Sequence, residues 1–379
     1  MRRIFFIVFL FQTMTVVAEE LPYDTVQVGI VQNVLSMHVS FAGGGYVYEL
    51  AEGTQAGLPA GDDILVKLLD DGRIAFGDIS YRSPVRIAAA GNDDLIRING
   101  KRFHDTINIM AQNGHLTAVN ELRLEDYLCG ILPVEADPNW APESLKVQAV
   151  ASRTYVLRNM RRHEKDGFDV CDTMHCQVYG GVDCEDVRSN NAVAGTRNEV
   201  LMYQGQLAQT LFHASCGGCT ENPNNVWSWD AEAPPYLRGR RDKYCRNSPH
   251  QDWKNLVKED IMRKNLTKAG YVVGTIQSIK IEGTDSSGRA KKLKIKHKNG
   301  VLEMKAASFR LAVDPWIIRS TMFKKIVKKD AGFLFSGYGW GHGVGMCQWG
   351  AKVMAERGKD YKEILKYYYP GTTIEKREP

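Results

Sequence analysis

The sequence has little charge of one sign: 49 lysines and arginines face 44 aspartates and glutamates in 379 residues, a formal charge of +5. So mild a balance is no electrostatic footprint for nucleic acid, and no nucleic-acid partner is expected. Cysteine is also sparse. Eight in a chain of this length fall far short of a small disulfide-stapled scaffold, so they call for local explanations. Beyond the first twenty residues no apolar run approaches the roughly 20 residues that cross a bilayer. No glycine-rich loop ends in a Walker lysine, and no G-x-G-x-x-G follows a strand, which leaves phosphate-loop and dinucleotide chemistry without support. What is present, 44% hydrophobic and 25% charged residues, is a globular composition that excludes wholesale disorder.

The first residues read as a targeting segment. Met1-Arg2-Arg3 is a cationic start, Ile4 to Val17 is mostly apolar, and Ala18 precedes Glu19-Glu20. A cationic start, a short apolar run and a small residue at its end predict a signal peptide over residues 1–18, cleaved after Ala18. The mature chain is then expected to be exported, periplasmic or extracellular, without a membrane span. Export makes disulfides chemically possible.

From Val26 to about Leu116, short alternating runs such as Val26-Gln-Val-Gly-Ile30 and Ile64-Leu-Val-Lys-Leu-Leu69 are separated by Gly43-Gly44-Gly45, Asp70-Asp71-Gly72 and Asn99-Gly100. Alternation between turn residues predicts a β-rich domain over 19–118, with no catalytic constellation in it. The rest, 119–379, has a different texture and is taken as a second domain. Pro142 to about His163 predicts a long helix, with Leu145, Ala149, Val156 and Met160 as its buried stripe. Gln148, Ser152 and Tyr155 form a polar set beside that stripe, and Arg153 lies on a neighbouring flank.

Four local features carry chemistry. Glu135 follows Pro133-Val134 in a segment too proline-punctuated for regular helix, and its apolar neighbours Ile131, Leu132, Val134 and Trp140 would raise its pKa toward that of a general acid. A solvated loop glutamate is the plain alternative. Cys171, His175 and Cys176 fall within six residues, with His163 upstream and Cys184 downstream. Zinc ligation and a disulfide account for this cluster equally well. Cys216-Gly-Gly-Cys219 is formally a redox C-x-x-C, but loop residues follow it where a helix should begin; Cys245 is a further thiol able to pair there. Finally, Gly337-Tyr-Gly-Trp-Gly-His-Gly-Val-Gly345 packs five glycines around Trp340 and His342, as a site-forming loop would.

Taken in order, Leu124-Glu-Asp-Tyr-Leu128, Leu132-Pro-Val-Glu135, Leu145 through Tyr155, and Phe212-His-Ala-Ser-Cys-Gly-Gly218 resemble the stage II sporulation protein D (SpoIID-like) family. So do Thr220-Glu-Asn222, Trp227, Tyr236-Leu-Arg238, Asp242 and the tail Gly339 to Ala351. The resemblance implies a peptidoglycan lytic transglycosylase that cuts glycan strands lacking stem peptides, with Glu135 as the catalytic acid. It also implies cleft roles for Arg153, Tyr155, Ser215, His342 and Gln348, although His342 could equally hold the glycine loop in shape. Some members of the family bind zinc through a cluster aligning with Cys171, His175 and Cys176, which favours a structural metal there, with His163, His175 and Cys184 competing for the remaining positions. Others are described as non-enzymatic enhancers of a cell-wall amidase. The expected fold is α+β: strands first, then a mixed domain with a long cleft-lining helix.

Overall fold

The computed structural model describes residues 25–61, 63–91, 94–227 and 232–377. The expected signal peptide at 1–18 lies outside the described residues.

The fold is α+β, with strands first, and two antiparallel-rich sheets organise the first third. One orders its strands Val170–Cys171, Thr25–Val34, His115–Arg123, Thr106–Gln112, Val85–Ala89, Gly45–Glu49 and Thr54–Leu58. The other runs Lys101–Phe103, Ile96–Ile98, Ser36–Phe41, Ile64–Leu68, Ile74–Phe76 and Ile79–Tyr81. Alternate residues of both sheets, Val26, Val28, Ile107 and Ile109 on one and Met37, Val39 and Phe41 on the other, point into a shared core. This is the period-2 burial that the alternating sequence requires.

A boundary at residue 118 falls inside the strand His115–Arg123, which pairs with Thr25–Val34 over most of its length. Val170–Cys171 then adds to the same sheet in parallel, against Val28 and Gly29. The first core also takes in Tyr127, Ile131, Val156 and Tyr179. Strand pairing and shared burial therefore join the β-rich third to the segment that follows.

That segment is built around three helices: α1 (Leu124–Glu135), α2 (Pro142–Arg158) and α3 (Val187–Gly195). Every residue of α2 from Val147 to Leu157 is buried. It crosses the middle of the fold, touching α1, α3 and the helices Gln348–Glu356 and Tyr361–Tyr368. Residues 253–335 form a core of their own, which the sequence reading did not separate from the remainder of 119–379. Trp253, Met262, Leu293, Phe309 and Phe335 are buried there among two three-stranded antiparallel sheets and two short helices.

Candidate active site

Glu135 is the last residue of α1, so the helix continues through Pro133 where an irregular segment was expected. A proline so near the helix end removes few hydrogen bonds, and the neighbouring carbonyl is taken up from outside. Gly130 O accepts from Gly180 N at 3.0 Å and from Cys184 Sγ at 3.1 Å. Cys184 is thus engaged at α1 and stands apart from the His/Cys cluster described below.

Glu135 is half-buried, and burial raises its carboxyl from the ordinary 4.5 to about 7, against the opposing pull of hydrogen bonds from the Gln348 side chain and the Val178 backbone. Gln348 opens the helix Gln348–Glu356, and its Nε2 donates to Glu135 O at 3.0 Å and to Gln148 Oε1 at 3.2 Å. Gln148 Nε2 in turn donates to Ser152 Oγ at 3.1 Å. The polar set on α2 is therefore a buried chain that fixes Gln348 against the end of α1. Tyr155, the third member, is turned elsewhere: its hydroxyl accepts from Arg162 Nη1 at 3.1 Å.

Arg153, expected at the cleft, is fully buried. It makes a two-pronged ion pair with Glu125 at 2.8 Å and donates to the carbonyls of Val193 and Glu199. It ties α2 to α1 and α3, and its enclosure leaves no face for a ligand. Ser215 is likewise enclosed, its backbone paired with Trp340 and its hydroxyl in the protein interior.

His342 is half-buried. Its Nδ1 accepts from Val344 N at 3.1 Å, and burial with the nearby Arg310 charge lowers its pKa to about 3, so the ring is neutral. These contacts brace the glycine loop. Gly339, Gly341, Gly343 and Gly345 all have positive φ, and a Cβ on Gly345 would strike the Leu211 carbonyl, so the loop's path depends on glycine there.

Aromatic rings extend away from Gln348. Trp140 meets Trp349 at 5.4 Å between centroids, Trp349 meets His250 at 6.0 Å, His250 meets Trp340 at 4.7 Å, and Trp340 meets Trp316 at 5.4 Å. Trp316 is 58% exposed and the other four are partly so. Cations cover part of this path, Arg319 lying over the Trp340 ring at 4.8 Å and Lys352 over the Trp349 ring at 5.1 Å, while Trp316 at its end is the most exposed ring. The sequence reading placed Trp340 and Trp349 beside the loop. His250 and Trp316 lie too far from it in the chain to be joined to it by any local pattern.

Cys171, His175 and Cys176 do come together, and His163 joins them: one donor atom from each of the four lies within 4.8 Å of every other. His175 Nδ1 is 3.1 Å from His163 Nε2, 3.6 Å from Cys176 Sγ and 3.8 Å from Cys171 Sγ. Asp166 orients the outer nitrogen of His163 at 2.8 Å, as carboxylates do behind metal-bound imidazoles. Two sulfurs and two nitrogens converging in this way are a donor set able to hold a metal ion. Arg162 Nη2 lies 3.3 Å from His175 Nε2, the ring nitrogen turned away from the two sulfurs. Cys216, the proposed redox thiol, does not open a helix, and hydrogen bonding with Cys245 and Cys347 together with burial pushes it up, opposite to a reactive thiolate.

A family described as Stage II sporulation protein matches residues 112–203, and a domain of unknown function matches residues 251–345, the region with its own core. The chain is 38% identical over 282 residues to an uncharacterized protein of Brachyspira hyodysenteriae, covering 74% of each. It is 32% identical over 356 residues to the amidase enhancer of Bacillus subtilis, covering 81% of this chain but only 49% of that one. Against stage II sporulation protein D of Bacillus amyloliquefaciens it is 30% identical over 278 residues, covering 68% of this chain and 75% of the relative.

Proposed function

The chain belongs to the stage II sporulation protein D family, and on that premise we propose that it is an exported, cell-wall-associated lytic transglycosylase acting on peptidoglycan glycan strands without stem peptides. The observation that carries the reading is Glu135, a carboxyl held near pKa 7 by burial at the end of a helix. Such a group is protonated often enough to act as acid and ionised often enough to act as base at neutral pH.

In the first half of the reaction Glu135 donates its proton to the oxygen between N-acetylmuramic acid C1 and N-acetylglucosamine C4. The C1–O bond breaks and the glucosamine leaves with a free 4-hydroxyl. The Glu135 carboxylate then takes the proton from the muramic acid 6-hydroxyl as that oxygen bonds to C1. The product is a 1,6-anhydro end, no water is consumed, and Glu135 is protonated again. A single carboxyl suffices, unlike the paired carboxylates of ordinary glycoside hydrolysis. Gln348 positions Glu135 by holding its backbone, and the exposed Trp316 at the end of the aromatic path supplies an apolar face for a sugar.

His163, Cys171, His175 and Cys176 would hold a structural zinc ion, whose contribution is to fix the loop 163–176 onto the first sheet. No helix among the described residues is long and apolar enough to cross a membrane. The reaction is tested by incubating the protein with glycan strands stripped of peptides and analysing the ends by mass spectrometry. Anhydro ends are expected, and Glu135→Gln should reduce them by about 10²–10⁴-fold. Undiminished cleavage by Glu135→Gln, or reducing ends in place of anhydro ends, would overturn the assignment.

The likeness to the amidase enhancer favours one other reading, a non-enzymatic glycan-binding partner of an N-acetylmuramoyl-L-alanine amidase. It predicts stimulation of that amidase with no sugar ends released by the protein alone.

A further inference from the structure

Cys216, Asp242, Cys245 and Cys347 come from separate stretches of the chain, yet one donor atom from each lies within 4.8 Å of every other. All four are buried, with Asp242 only 1% exposed. Cys216 Sγ is 3.1 Å from Cys245 Sγ and 3.4 Å from Asp242 Oδ2. Backbone N–H groups aim at the sulfurs: Cys216 N and Gly350 N donate to Cys347 Sγ at 3.3 and 3.4 Å, and Gly218 N donates to Cys216 Sγ at 3.4 Å. Asp242 Oδ1 accepts from Tyr244 N at 2.8 Å, and Oδ2 accepts from the Tyr368 hydroxyl at 2.9 Å. The hydrogen bonds on this carboxylate thus come from a thiol, a phenol and a backbone N–H.

We propose that these four residues form a second metal centre, separate from the His163 cluster, that takes a zinc ion in closed structural coordination. A buried carboxylate surrounded by thiols needs a positive charge, and a divalent ion at their centre supplies it. Three thiolates and a carboxylate carry the same formal charge as the four thiolates of a Cys₄ zinc site, and the N–H groups aimed at sulfur spread that charge. Zinc–sulfur bonds of about 2.3 Å set tetrahedral ligands about 3.8 Å apart, the scale on which these atoms already converge. A disulfide between Cys216 and Cys245 would consume two of the four donors and leave the Asp242 carboxyl buried against it. The Tyr368 hydroxyl plays the outer-sphere part, orienting the carboxylate toward the ion.

The consequence is mechanical. Cys347 immediately precedes Gln348, which holds Glu135, and Cys216 follows Ser215, which pairs with the glycine loop. An ion here would clamp the loops at 216–219 and 242–245 to the start of the helix Gln348–Glu356. The centre stands whether or not Glu135 cuts glycan.

The test is metal content of the full chain, purified under reducing conditions without chelator. Two equivalents of zinc are expected per chain, falling to one in Cys171→Ser/Cys176→Ser and to one in Cys245→Ser. Because Cys245→Ser alters a buried site and could fail to fold, the Cys171→Ser/Cys176→Ser protein is also titrated with Co²⁺ alone. One equivalent should bind with a thiolate-to-cobalt charge-transfer band. A Cys171→Ser/Cys176→Ser protein that takes up no metal and shows no such band overturns the proposal. So does a Cys216–Cys245 disulfide found by mass spectrometry of unreduced, alkylated protein.

Discussion

Glu135 should cost the protein stability as pH rises, and replacing it should recover that stability. Its carboxyl is raised from 4.5 to about 7. Below pH 4.5 it is protonated in both the folded and unfolded chain and contributes no difference. Between 4.5 and 7 the unfolded chain ionises while the folded one resists, so stability falls across this window and levels off above it. At about 1.4 kcal/mol per tenfold change in acidity, the rise from 4.5 to about 7 gives a loss of about 3–4 kcal/mol by pH 8. Glu135→Gln keeps the shape and removes the charge. Urea unfolding of the two proteins should therefore coincide near pH 4 and diverge to about 3–4 kcal/mol in favour of Glu135→Gln at pH 8. The same protonation sets the alkaline limb of kcat/KM, which should fall as pH rises through about 7 because the acid form starts the reaction. Parallel stability curves from pH 4 to 8, or a divergence centred near 4.5, would refute the buried-carboxyl reasoning.

Other outcomes follow from the same structure. Arg153→Ala leaves Glu125 as a partly buried carboxylate without its cation, and thermal or urea unfolding should register a loss of about 3–5 kcal/mol; a change within experimental error would mean the pair is not structural. Trp316→Ala should weaken binding of peptide-free glycan by about three- to tenfold, on the scale of about 1 kcal/mol for an aromatic contact, with the unfolding midpoint unchanged. Unchanged affinity by calorimetry would remove Trp316 from the glycan path. Cys171→Ser/Cys176→Ser should release one equivalent of metal and lower the unfolding midpoint; metal content equal to wild type would exclude that cluster as a site.

Much of this was legible locally. Alternating residues such as Val26, Val28, Ile107 and Ile109 specify half-buried strands whatever lies across the core, because their periodicity is a property of the backbone. The helix Tyr361–Tyr368 is likewise written in its flanks, between Asp360, which caps its start, and Pro370-Gly371, which cannot continue it. Arg153 was misjudged for a physical reason. A charged side chain beside motif residues looks exposed until Glu125, twenty-eight positions earlier, is seen to neutralise it inside the core. Pro133 misled in a similar way, since the cost of proline in a helix depends on whether outside donors reach the neighbouring carbonyls.

The sequence by itself determined the β-rich start, a long helix from Pro142 (though it ends at Arg158, short of Met160 and His163), the proximity of Cys171, His175 and Cys176, and Glu135 as the carboxyl to watch. Each rests on neighbours within a few residues, where chain geometry fixes what is close to what. Only the tertiary structure decided that His163 completes the first cluster and that Asp242 and Cys245 meet Cys216 and Cys347. It alone brought Gln348 beneath Glu135 and linked Trp140 to Trp316. These contacts join positions up to about two hundred residues apart. No local spacing encodes them, because they arise from packing separate elements against shared cores.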